Sequence, residues 1–150
     1  MNKKILFSFL IIVSLFIFTG CRNNNTVEKN KSQDNSNEVL SSVKAQINGE
    51  EYIINLEDNE TAKKFVKLLP KEFNMSELNG NEKYIYLDNA LPTNPVNIKK
   101  INSGDVMLYG DNCLVIFYKS FDTSYSYTKI GHIDNLPDLG NGNISVKFEK

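Results

Sequence analysis

The sequence predicts a mainly β protein, a small closed barrel with one amphipathic helix. Three observations predict it. From Val43 onward about seven or eight short apolar segments recur with turn residues between them, the spacing of a barrel or sandwich. Closure into a barrel would remove exposed edges. Only one segment, Asp58 to Leu69, has a helical period. Gly104 to Ile133, GDVMLYGDNCLVIFYKSFDTSYSYTKIGHI, is the longest apolar and aromatic tract outside the N-terminus. It carries four of the seven tyrosines and reads as strand, turn, strand, loop, strand. It is the expected spine of the barrel and the expected wall of any binding site.

A chain of 150 residues suggests one domain plus accessories. Its 17 basic and 18 acidic residues leave a net charge of −1. That balance supplies no basic face for nucleic acid. Arg22 is the single arginine, His132 the single histidine, and Cys21 and Cys113 the two cysteines.

Residues 1–20 read as a leader peptide. Lys3 and Lys4 form a positive start, Ile5 to Phe18 is almost wholly apolar, and Thr19-Gly20 supplies small residues for cleavage. The run is short for a spanning helix, which needs roughly 20 apolar residues. Phe18-Thr19-Gly20-Cys21 resembles a bacterial lipobox. The resemblance implies cleavage before Cys21, with lipid such as palmitate on its thiol and new amine. Two or more acyl chains anchor stably where one does so marginally. An uncleaved helical anchor is the other reading. Either way the domain is expected at the cell membrane, facing outside the cytoplasm. Loss of Lys3 and Lys4 takes the charge from −1 to −1 − 2 = −3. Arg22 to Glu38 is rich in asparagine and has Val27 as its only apolar residue, so residues 21–38 read as lipidated cysteine plus disordered tether. As a random coil the tether spans about 20–25 Å. The folded domain is then 39–150.

Within it, Val43, Ala45 and Ile47 alternate with polar residues, and Asn48-Gly49 suits a tight hairpin into a return strand at Tyr52 to Leu56. In the helix, Ala62, Phe65, Val66 and Leu69 make one apolar face, Asp58 or Asn59 caps it, and Pro70 stops it. Lys63, Lys64 and Lys67 form a solvated face or, alternatively, a contact for phosphate or anionic lipid. Glu72 to Glu77 and Lys83 to Leu87 form a second strand pair, with Tyr84 and Tyr86 on one face. Leu91 to Lys100, with two prolines, reads as a stiff loop. Val106 to Tyr109 and Cys113 to Tyr118 flank the turn Gly110-Asp111-Asn112. The second of these is apolar at successive positions, as expected of a strand covered on both faces. Phe121 to Ser126 reads as a connecting loop, Tyr127 to Ile133 as a strand, and Ile144 to Phe148 as the closing strand.

The stretches INGEEY (47–52), LEDNETAKKFVKLLP (56–70), MSELNGNEKYIYL (75–87), GDVMLYGDNCLVIFYKSF (104–121) and SYSYTKIGHI (124–133) resemble the bacterial cyclophilin-like domain family. The resemblance covers most of the domain and implies a β-barrel related to the prolyl isomerases. Those enzymes place an arginine beside an aromatic pocket, and lysine does not match its planar fork. Arg22 lies outside the domain. Efficient isomerisation is therefore not expected.

Other chemistry is thinner. Cys113 would need a base, and His132 is the only imidazole. A buried structural thiol is the simpler reading. A structural zinc site wants four ligands of these types, so no metal and no cofactor is expected. Asp105, Asp111, Asp122 and Asp134 flank turns, where aspartate serves the backbone. Aromatic rings with polar tips suit a pocket, though for each ring singly the plainer reading is barrel core with its hydroxyl at the rim. The candidate ligand contacts are Tyr109, Tyr118, Phe121, Tyr125, Tyr127 and His132, with Phe117 among the same rings. The expectation is a tethered lipoprotein that binds a peptide or small amphipathic ligand without catalysis. The alternative is a divergent peptidyl-prolyl isomerase or other enzyme acting on extracytoplasmic proteins. A continuous tyrosine groove would mark the binder; Glu82, His132 and a carboxylate converging in one pocket would mark the enzyme.

Overall fold

The computed structural model describes residues 40–150. The expected leader, the lipidation at Cys21 and the tether lie outside the described residues. The strands are β1 (Ser42–Ile47), β2 (Glu50–Leu56), β3 (Lys71–Leu78), β4 (Glu82–Tyr86), β5 (Val96–Asn97), β6 (Lys100–Ile101), β7 (Asp105–Tyr109), β8 (Cys113–Phe117), β9 (Phe121–Asp122), β10 (Ser126–Ile133) and β11 (Ile144–Glu149). The helix is α1 (Glu60–Val66).

Eight strands run β2-β1-β11-β3-β4-β8-β7-β10 and close where β10 returns to β2. The described residues form the closed barrel with a single helix that the sequence predicts. At the seam Gly131 pairs with Leu56. A Cβ there would stand 2.5 Å from the Asn55 carbonyl oxygen, so the seam needs glycine for space. Asn48 and Gly49 both take positive φ in the β1–β2 turn, as the dipeptide implies. β2 begins at Glu50, two residues before the strand read from the sequence.

Asn59 caps α1: its Oδ1 accepts from the Ala62 N–H at 2.8 Å, and its Nδ2 donates to the Lys129 carbonyl at 2.8 Å. One side chain thus starts the helix and fixes it to β10. The helix is shorter than its apolar period suggests. Lys67, Leu68 and Leu69 continue as a tighter turn, each N–H reaching back three residues. Phe65 is fully buried and meets Phe148 edge to face at 5.3 Å, so α1 plugs the barrel.

Two segments read as loops contain short pairings. β5 joins β10 at Ser126 and Tyr127, and β6 pairs with β9. Two-residue strands carry no periodicity, so only the tertiary contact reveals them. Their effect is to hold an apolar layer outside the barrel. Inside, Ile54, Leu108, Leu114, Ile116 and Phe148 belong to the main core. Outside, Ile101, Met107, Cys113, Val115, Phe117 and Tyr127 form a second cluster, flanked by Tyr84, Ile98 and Phe121. Alternate residues of β8 therefore feed two cores, which accounts for its unbroken apolar run.

The same alternation sends Lys83 inward. It is fully buried, and its Nζ donates to the Gly140 and Gly142 carbonyls at 2.6 and 2.8 Å. The Tyr118 ring lies 4.8 Å beneath it.

A tyrosine-lined cleft as candidate binding site

The outward face of β4, β8 and β7 is set by register. Tyr86 pairs with Cys113, and Cys113 with Tyr109; Tyr84 pairs with Val115. β8 thus presents two small side chains between strands that present rings. A trough results along β8, and the residues at the end of the Phe121–Ser126 connection close one side of it. The cleft holds about 290 Å³ and is lined by Leu78, Asn79, Glu82, Tyr84, Tyr86, Tyr109, Cys113, Val115, Tyr125 and Tyr127.

The rings are ordered against one another. Tyr84 and Tyr86 meet at 5.9 Å and 81°, and Tyr109 and Tyr125 at 5.9 Å and 81°. Tyr109 also contacts Tyr127 at 5.6 Å, and Tyr127 stands edge-on to Phe117 at 5.5 Å. Edge-to-face contacts of this kind stabilise beyond area burial. Tyr127 is 7% exposed and forms the floor, while Tyr86 at 64%, Tyr109 at 45% and Tyr125 at 61% form the rim.

Among the described residues, Glu82 is the one charged residue lining the cleft. Burial, helped by the negative charge of nearby Glu77, raises its pKa. Burial pushes the Cys113 thiol up to about 11, with the Glu82 charge adding to it. Burial likewise pushes the Tyr127 hydroxyl up to about 12. At neutral pH the Cys113 thiol and the Tyr127 hydroxyl are therefore neutral, so Cys113 is not activated for nucleophilic attack.

Three of the residues proposed from the sequence, Tyr109, Tyr125 and Tyr127, meet in the cleft. The other three lie elsewhere. Tyr118 turns into the barrel core, and its hydroxyl donates to Glu77 Oε1 at 3.2 Å. Phe121, on β9, packs its ring on Phe117 at 5.7 Å within the outer cluster. His132 sits on β10 with Nδ1 3.0 Å from Asp105 Oδ1 and Nε2 3.7 Å from Asp134 Oδ1. Buried Asp105 also accepts from the Asn102 N–H at 2.8 Å and has Lys129 Nζ at 3.5 Å. His132 does not line the cleft, so it does not converge with Glu82 there. Among the described residues no group of three or more His, Cys, Asp or Glu is placed to hold a metal ion. No helix among them is long and apolar enough to cross a membrane.

Tyr84, Tyr86, Leu78 and Glu82 were not singled out from the sequence as ligand contacts. The shared face of Tyr84 and Tyr86 was legible, but the pairing of β4 with β8 was not.

Fold and site together define a small antiparallel barrel that carries an aromatic cleft on its outer face. Residues 45–149 match the family described as the cyclophilin-like family, and the chain belongs to it. No curated protein and no solved structure matches the chain.

Proposed function

We propose that this barrel is a binding module, tethered outside the cytoplasm by lipid on Cys21, whose cleft takes a peptide or small amphipathic ligand without turning it over. The observation that carries the reading is the exposed tyrosine rim of Tyr86, Tyr109 and Tyr125 around a deeper floor. Large rings with few rotamers give contact area at low entropic cost. Supporting it, residues 40–150 contain no arginine to hydrogen-bond a twisted prolyl amide, and the Cys113 thiol is held neutral. The leader and the lipobox-like Phe18 to Cys21 support the tether.

The test uses the full chain in a maltoside detergent and a proline-containing tetrapeptide. Saturable shifts of amide resonances in β4, β7 and β8, with no acceleration of prolyl isomerisation, are expected. Acceleration well above the uncatalysed rate would instead establish a divergent isomerase.

A further inference from the structure

We propose that the ligand of this cleft carries a methylated ammonium head, held over the tyrosine rings with Glu82 as its counter-ion. The proposal rests on the binding reading above and names the chemistry of the occupant.

Several carboxylates on the barrel sit beside lysines: Glu51 by Lys44 at 3.2 Å, Asp58 by Lys63 at 2.9 Å, and Asp138 by Lys119 at 3.2 Å; Glu50, Glu72 and Glu77 do not. Glu82 has no such neighbour. No lysine lines the cleft, and Glu82 makes no ion pair or side-chain hydrogen bond among the described residues. A partly buried carboxylate without a partner is costly. An occupant that brings a cation relieves that cost.

The rings specify what kind of cation. Tyr84 and Tyr86 stand nearly perpendicular on one side of the Cys113–Val115 trough, and Tyr109 and Tyr125 nearly perpendicular on the other. Right-angled ring pairs present π-faces in more than one direction, which suits a cation approached from several sides. A cation within about 6 Å of a ring centroid is attracted by the ring quadrupole, and cages of aromatic rings recognise quaternary ammonium groups. A primary ammonium is a compact, strongly hydrated charge, and half of the residues that line the trough are tyrosines. A methylated ammonium asks for fewer hydrogen bonds and fills the cleft with methyl groups against Cys113 and Val115.

The experiment is an NMR titration of the full chain in maltoside detergent with choline. The same titration is run with its uncharged isostere 3,3-dimethylbutan-1-ol, and with sodium chloride at matched ionic strength. Choline is expected to shift the tyrosine ring resonances saturably and to bind at least tenfold more tightly than the isostere. Tyr125→Leu, which keeps apolar bulk but removes the quadrupole, and Glu82→Gln are each expected to weaken choline binding severalfold, while Glu82→Asp retains part of it. Equal binding of choline and isostere, shifts reproduced by sodium chloride, or no saturable shift with choline each overturns the proposal. In those cases, saturable binding of the proline tetrapeptide still upholds the binding reading, so the two fail separately. With choline bound, competition by a trimethyllysine peptide or by phosphatidylcholine vesicles distinguishes a modified protein from a lipid surface as the source of the head group.

Discussion

The ring of Tyr125 meets the ring of Tyr109 at 5.9 Å and 81°, although the two lie on separate segments of the chain. Tyr109 in turn touches Tyr127, which touches Phe117. A continuous aromatic path thus runs from an exposed rim into a buried layer, and its members cannot be equivalent.

Substitutions at the two ends should separate binding from folding. Tyr125→Ala removes a ring that is 61% exposed, so stability is expected to change by no more than about 0.5 kcal/mol, while ligand binding falls. Tyr127→Ala opens a cavity in the outer cluster and is expected to cost about 3 kcal/mol. Urea unfolding of the two variants measures both. Equal loss of stability would place Tyr125 in the packed layer as well.

Cys113 should be chemically silent in the native chain. Its thiol is raised from 9.0 to about 11 by burial. In a Cys21→Ala chain, iodoacetamide at pH 7.5 is expected to modify Cys113 only after unfolding. Because the folded value lies above the unfolded one, the stability contributed by the neutral thiol is complete below about pH 9 and is lost as pH rises toward 11. Rapid native-state labelling at neutral pH would contradict this burial.

Lys83 ties the β4 strand to the turn before β11 through two carbonyls. Burial lowers its pKa. Lys83→Ala would leave both carbonyls and a cavity inside the barrel, and is expected to destabilise by about 2–4 kcal/mol. Lys83→Met also leaves the carbonyls but fills the volume, so it should cost less than the alanine variant. Thermal unfolding of the pair orders them; the reverse order would show that an apolar chain in this space is worse than the cavity.

Membrane attachment should depend on one thiol. Cys21→Ser is expected to abolish incorporation of labelled palmitate and to change the fractionation of the chain on cell lysis. Undiminished label in that variant would remove the lipid tether from the proposal.

The amino-acid sequence by itself determined the fold class. Period-two alternation along Val43 to Ile47 and Ile144 to Phe148, the Asn48-Gly49 turn and the single helical period are local signals, and local sterics suffice to produce them. It also determined that β8 would be covered on both faces, since an unbroken apolar run has no other use in a sheet. Of the six candidate ligand contacts, Tyr109, Tyr125 and Tyr127 line the cleft, and all three were legible as aromatic residues near a polar connection. The tertiary structure decided the rest. Whether a ring in Gly104 to Ile133 faces the core or the cleft depends on a one-residue difference in parity, which sent Tyr118 inward and Tyr109 outward. That β4 lies beside β8, bringing Tyr84, Tyr86 and Glu82 to the same trough, depends on barrel closure. Strand pairing joins residues distant in the chain, and no local pattern encodes it.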